Sequence, residues 1–203
     1  MKIAVTGASG RAGSSISAEL ARRGHNVTGI ARNPDRIAKL ANVTAVAGDA
    51  NDRAALARLW AGHDAAVSSI HFSASDAETL IGAARDSGVS RYLVVGGAGS
   101  LEVAPGVRLV TTPNFPAPYK AEAEKGAAFL DRLGQERELN WTFLSPSALF
   151  EPGNRTGKFR LGGDQLLVDS AGKSWISFED FAVAMADEIE RPAHFRKRFT
   201  VGY

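Results

Sequence analysis

The sequence predicts an α/β fold, a doubly wound parallel sheet with helices on both faces and a small substrate-side region from the C-terminal part of the chain. Three observations predict it. Short apolar, β-branched runs alternate with longer helical patterns through the first 95 residues, the order of a parallel sheet whose strands are joined by crossover helices. Those runs are nearly continuous in apolar residues, as strands covered on both faces are. A glycine-rich turn stands between the first strand and the first helix, the place where such sheets receive phosphate groups.

Taken in order, Lys2–Thr6 is the first strand, bounded by Gly7. Residues 11–23 carry Ala12, Ile16, Leu20 and Ala21 as a helical stripe that stops at Gly24. Residues 26–30 form the second strand, and Asn33-Pro34 marks the start of a second helix with proline in its first turn. A strand over 43–47, a helix over 52–60, a strand over 64–70, a helix over 75–87 closed by Gly88, and a strand over 91–95 follow. Regularity then breaks from Gly96 to Pro118, where four of the eight prolines fall (Pro105, Pro113, Pro116 and Pro118). A stretch of this size is expected to be a lid or binding loop over one end of the crevice, the alternative being a disordered excursion. Helical pattern resumes over 119–133, and 141–144 is a sixth strand. The remainder reads as short strands plus one helix over 178–190, begun by Ser177 with Asp180 three residues on. A length of 203 residues suits one domain, with a nucleotide-binding core over 1–145 and a substrate-side region over 146–203.

Composition narrows the function classes. With 44% apolar and 23% charged residues, the chain is an ordinary globular one. The 24 basic and 22 acidic residues leave a net charge of +2, too small a field to make nucleic acid or an anionic membrane the expected partner. Absence of cysteine excludes disulfides, thiolate metal sites and a cysteine nucleophile; no metal site is expected. No apolar run approaches the roughly 20 residues that span a bilayer, and Met1–Thr6 runs directly into the glycine turn, so a cytoplasmic location is expected.

Gly7-Ala8-Ser9-Gly10-Arg11-Ala12-Gly13 has the spacing G-x-x-G-x-x-G, a relative of the dinucleotide fingerprint. Gly7 permits the sharp turn, Gly10 lets backbone approach a pyrophosphate, and Gly13 lets the helix pack close to the sheet. The helix N-terminus then offers amides and a positive dipole end to the phosphates. At the end of the second strand, NAD-selective proteins place an acidic residue on the ribose 2′-OH. Here the strand ends Ile30-Ala31-Arg32-Asn33, with no carboxylate before Asp35. Arg32 is read as the partner of a 2′-phosphate, with Arg11 as a second contact, so NADP(H) is preferred over NAD(H). The alternative is that Arg32 is a solvated residue.

Ligands in these sheets bind beyond the carboxyl ends of strands. Asp49 and Ala50, after the third strand, are candidates for the adenine side. Ser68, Ser69 and Ile70, closing the fourth, are candidates for the cofactor ribose, and His71 and Phe72 for the substrate near the nicotinamide. Gly96 and Gly97 follow the fifth strand, and Pro146 and Ser147 the sixth. His25, His63 and His194 receive no role, and Phe195-Arg-Lys-Arg-Phe199 reads as a solvated edge strand.

Val5–Gly13, Gly48-Asp49, Leu93–Leu101, Trp141–Pro146 and Arg198–Gly202 together resemble the atypical short-chain dehydrogenase/reductase proteins. The nearest likeness is to NAD(P)H-binding members similar to NmrA and to biliverdin reductase B (flavin reductase). The resemblance covers nearly the whole chain and implies a Rossmann domain that binds NADP across the point where strand order reverses. It also implies a catalytic Ser/Thr beyond the fifth strand and a Tyr-x-x-x-Lys pair on the next helix. The chain departs from both. Four residues after Tyr119 stands Ala123, and beyond the fifth strand Ser100 is the sole hydroxyl. Lys120 looks like the lysine that, in isoflavone-reductase-like members, holds the nicotinamide ribose or assists proton transfer; Lys120 and Ser100 are the catalytic candidates.

Chemistry that needs no such triad is hydride delivery to a flat acceptor such as a flavin, quinone or bilin, with protons taken from solvent. Phe72, Phe115 and Phe150 are candidates for its stacking wall. The expected function is therefore an NADPH-dependent oxidoreductase. Two alternatives stand beside it: an NmrA-like NADP(H)-sensing regulator that binds a protein partner, and a sugar-nucleotide epimerase relative.

Overall fold

The computed structural model describes residues 1–203. β1 (Lys2–Thr6), α1 (Arg11–Arg22), β2 (Asn26–Ala31), β3 (Val43–Ala47), α2 (Arg53–Trp60), β4 (Ala65–Ser68), α3 (Ala77–Ser87) and β5 (Tyr92–Val95) make up the first half. The hairpin of β6 (Glu102–Ala104) and β7 (Val107–Arg108) leads to α4 (Ala117–Gly134) and β8 (Trp141–Pro146). β9 (Leu149–Glu151), β10 (Arg160–Gly162), β11 (Trp175–Ser177), α5 (Phe178–Glu190) and β12 (Lys197–Gly202) complete the chain. Eight strands form one sheet in the order β10-β12-β8-β5-β4-β1-β2-β3, parallel throughout except for β10 at the edge. This is a Rossmann-like doubly wound sheet, with strand order reversing between β1 and β4.

Side chains alternate between two cores. Ile3, Val5, Leu93 and Leu144 meet α1 and α5 through Ile16, Leu20 and Phe181 on one face. Ala4, Tyr92, Val94 and Phe143 meet α2, α3 and α4 through Trp60, Ile81 and Phe129 on the other. The same alternation makes each strand apolar on both sides. Glu19 of α1, 4% exposed, binds Arg22, Arg23 and Arg155, and Arg23 goes on to Asp187 and Glu190 of α5. Burial alone would raise the Glu19 carboxyl, but the three guanidinium groups hold it far below the usual carboxylate range.

Three expectations are corrected. The helix at Asn33-Pro34 is a single 3₁₀ turn over Pro34–Arg36, closed by the Asn33 side chain accepting from the Asp35 amide at 3.1 Å. The stretch before β3 holds too narrow an apolar stripe for a helix: Ile37 is buried, while Leu40 is 40% exposed. β3 is consequently half-exposed at the sheet edge. The fourth strand ends at Ser68, short of Ile70. Residues 96–118 are neither structureless nor a disordered excursion: they hold two 3₁₀ turns and the β6–β7 hairpin. Leu101 and Val110 are buried, and Arg108 of the hairpin binds Asp131 of α4 through both carboxylate oxygens at 2.6 and 2.9 Å. No helix is long and apolar enough to cross a membrane.

Candidate functional site

The glycine turn after β1 is shaped by two close approaches. Gly7 has φ +87°, and a Cβ there would lie 2.2 Å from the Ser69 carbonyl oxygen. A Cβ on Gly13 would lie 2.2 Å from the Gly7 carbonyl oxygen, so packing alone demands both glycines. Gly10 differs, since its Cβ would meet only the Gly7 carbonyl oxygen, at 3.2 Å, and the residue is exposed. Glycine at position 10 leaves the backbone open to a ligand. Gly10 is also the N-cap of α1, with no side-chain cap and no acidic residue in the first turn. α2, α3 and α5 are capped by Asp52, Asp76 and Ser177, while α4, which begins after Pro116, shares the uncapped start of α1. The amides and dipole of α1 are thus left for an anion.

A cleft of about 190 Å³ opens here, at the carboxyl ends of β1 to β4. Gly7, Ser9 and Gly10 line it from the turn, Arg32 from the end of β2, Asp49 and Ala50 from beyond β3, and Ser69, Ile70 and His71 from beyond β4. Arg32 and Arg11 are both exposed, and neither enters an ion pair. The Asp49 Oδ1 accepts from the Asn51 amide at 2.9 Å and from Asn51 Nδ2 at 3.3 Å. Asn51 Nδ2 also donates to the Ala74 carbonyl at 3.2 Å, which ties the β3 exit to the turn beyond β4. Sequence reasoning missed Asn51; the Asp49-x-Asn51 spacing beside the Asp52 cap was the available signal. An uncapped helix start, an open backbone at Gly10 and free guanidinium groups fit a dinucleotide.

Glu122, one turn into α4, was also missed, and no local pattern marks it. Its Oε1 accepts from the Phe72 amide at 2.7 Å and its Oε2 from the Ser73 amide at 2.8 Å, while His71 Nδ1 lies 3.3 Å away. Burial pushes this carboxyl up, but the Ser73 and Phe72 hydrogen bonds and the His71 ring outweigh it and hold the group below its ordinary value. The carboxylate therefore fixes the turn that presents His71 to the cleft.

The remaining candidates are placed elsewhere. Ala8 and Ala12 pack their methyl groups on the core under the turn, and Ser68 is buried at the end of β4. Gly96 is required by packing, because a Cβ would lie 2.2 Å from the Phe143 ring; Gly97 has only a Phe72 atom at 4.0 Å. Pro146 is buried at the end of β8, and the Ser147 hydroxyl donates to the Val201 carbonyl at 3.0 Å. Lys120 is exposed in the first turn of α4.

Two of the expected wall aromatics belong to the core. Phe72 stacks on Phe143 and tilts against Phe129, with centroids at 6.1 and 5.3 Å, and is 9% exposed. Phe150 packs on Phe178 and Phe181 at 4.4 and 4.7 Å. An aromatic residue beyond a strand reads the same in sequence for either role, and burial against other rings won here. Phe115 is half-buried. Ser100 is not brought to this cleft. It is 3% exposed, and it lines a separate cleft beside the C-terminal half of α4. Ala123 packs against the 98–100 turn, where a Cβ on Gly99 would come within 2.7 Å of its methyl.

Comparison with known proteins agrees with this geometry. The model of the NAD(P)H-binding family matches residues 7–192. The chain is similar to a candidate exported protein from Burkholderia pseudomallei, at 46% identity over all of both chains with a TM-score of 0.91. It is similar to a candidate epimerase from Bacteroides thetaiotaomicron at 38% identity, covering all of this chain and 96% of that one, with a TM-score of 0.94. A candidate NADH-flavin reductase from Streptococcus pneumoniae TIGR4 is 33% identical, over all of this chain and 99% of that one, with a TM-score of 0.86. With the cofactor turn, the strand reversal and a family match over nearly the whole chain, this protein belongs to the NAD(P)H-binding family.

Proposed function

We propose that the protein is an NADPH-dependent oxidoreductase that reduces a flat acceptor such as a flavin, quinone or bilin. The observation that carries the cofactor preference is Arg32, a free guanidinium lining the cleft at the end of β2, with no carboxylate at that strand end. Its planar fork suits a 2′-phosphate, to which exposed Arg11 is a second contact. Bound NADPH supplies the hydride. The chain's own residues hold the phosphates at the amides of α1, keep Ser69 and Ile70 against the cofactor, and present Lys120 as a cation at the entrance of α4. Ala123 in place of a lysine and the position of Ser100 away from the cleft argue against an acid triad, and so for an acceptor that collects its proton from solvent. Similarity to the candidate NADH-flavin reductase supports this acceptor class.

NADPH consumption with a panel of flavins, quinones, bilins and aldehydes tests the proposal. Turnover with at least one flat acceptor and none with simple aldehydes is expected; tight cofactor binding with no turnover on any member overturns it. The second reading, a cofactor sensor without chemistry, is favoured by the same missing triad. It requires NADP and NADPH to bind about equally and a stoichiometric protein partner to co-purify.

A further inference from the structure

A second cleft, larger than the cofactor cleft, lies on another part of the molecule. α4 is the last helix on its face of the sheet, and beyond it β12 turns Arg198, Thr200 and Gly202 to the side on which β8 carries Trp141, Phe143 and Ser145. The opposite side of β12 buries Phe199 and Val201 under α5. Between α4, the β6–β7 hairpin and the β10–β12 edge of the sheet lies a cleft of about 910 Å³, within the range of small-molecule sites. It shares no lining residue with the cofactor cleft.

Three features of its wall point to a ligand. First, the charges do not cancel. Arg108 is matched by Asp131, Arg198 by Asp164, and Glu136 by Arg85 and Arg132. Arg137, Arg196 and Lys197 also line the cleft and enter no ion pair, against Glu102 as the single unpaired acid. Second, Ser100 Oγ, Trp141 Nε1 and Arg198 Nη1 are buried without hydrogen-bond partners. Two of these, the indole and the guanidinium, can only donate, so an acceptor is what they lack. Third, Arg196 on the rim has φ +53°. A left-handed arginine is strained, and such strain gathers at ligand clamps. Its amide donates to the Trp141 carbonyl at 2.7 Å, which fixes the strained residue beside the unpaired indole.

We propose that this cleft is a second binding site, for a small polyanion carrying carboxylate or phosphate groups. Excess cations and unpaired donors select an anion, and an open wall lined mainly by non-hydrophobic residues suits a hydrophilic one. The site is independent of the hydride acceptor proposed for the other cleft.

The test follows the indole N–H signal of Trp141 in ¹⁵N-labelled protein, assigned with Trp141→Phe among the three tryptophans. Citrate and inorganic phosphate are titrated separately at constant ionic strength, with NADPH present in excess to fill the cofactor cleft. The Trp141 signal is expected to move along a saturating curve with at least one of them. Citrate alone identifies a carboxylate ligand and phosphate alone a phosphate ligand. An Arg196→Gly/Lys197→Ala variant, whose glycine also relieves the positive φ, is expected to keep the fold and to bind about tenfold or more weakly, each factor of ten being about 1.4 kcal/mol. A shift that stays linear with both anions, or saturation unchanged in the variant, overturns the proposal.

Discussion

The turn after β1 and the turn after β4 touch through Gly7 and Ser69, whose carbonyl oxygen lies 2.2 Å from where a Cβ on Gly7 would sit. With φ at +87°, Gly7→Ala adds backbone strain of about 1–3 kcal/mol to a direct clash. The variant is expected to unfold at clearly lower denaturant than the parent, with no ligand present. Gly10→Ala meets no comparable obstacle. It should keep most of the stability of the parent and lose cofactor affinity, because the added methyl stands where the backbone is open to a phosphate. Paired denaturation and cofactor titration of the two variants distinguish a glycine that serves the fold from one that serves the ligand.

Much of this architecture was legible in the sequence, and the exceptions have physical causes. Ile3, Val5, Leu93 and Leu144 sit in runs whose both-faced burial leaves no other reading, and Ser177 announced α5 through its cap on the Asp180 amide. The 33–42 stretch failed because proline at a first turn signals a helix start without securing the apolar stripe that sustains one. The hairpin of β6 and β7 failed because its anchor, Asp131, is 23 positions away from Arg108. The candidate site divides in the same way. Gly7, Arg32 and Asp49 follow from strand ends, which local sequence marks. Asn51 and Glu122 act through contacts between elements, Glu122 reaching Phe72 across 50 positions, and no local pattern records such a contact.

The Glu19 carboxylate gives stability an acid limit. Its folded value lies below its unfolded one, held there by Arg155, Arg22 and Arg23 against the opposing effect of burial. A depressed carboxyl contributes stability above its unfolded pKa of about 4.3 and loses it as pH falls toward the folded value. Glu19→Gln should therefore be less stable than the parent at pH 7 by about 1–3 kcal/mol. Below about pH 4 the difference should narrow, because the unfolded parent takes up a proton at Glu19 that the folded parent does not. Urea unfolding of both proteins from pH 7 to pH 3 checks this, and a gap that widens on acidification would show that the network does not act through the Glu19 charge.

Lys120 is exposed, so its removal should not disturb packing. Lys120→Ala should melt as the parent does, since surface changes of this kind stay within about 0.5 kcal/mol, while turnover or cofactor affinity falls. A variant that binds and reacts as the parent does would reduce Lys120 to a surface charge.

The cofactor preference rests on Arg32, and four dissociation constants test it: NADPH and NADH, each on the parent and on Arg32→Ala, by fluorescence titration at fixed salt. A hydrogen bond to a charged group contributes about 1.5–3 kcal/mol, or roughly ten- to a hundred-fold in affinity. The parent should prefer NADPH. Arg32→Ala should weaken NADPH by that factor and leave NADH almost unchanged, because NADH has no 2′-phosphate to lose. Equal affinities in the parent, or equal losses for both cofactors in the variant, would contradict the account.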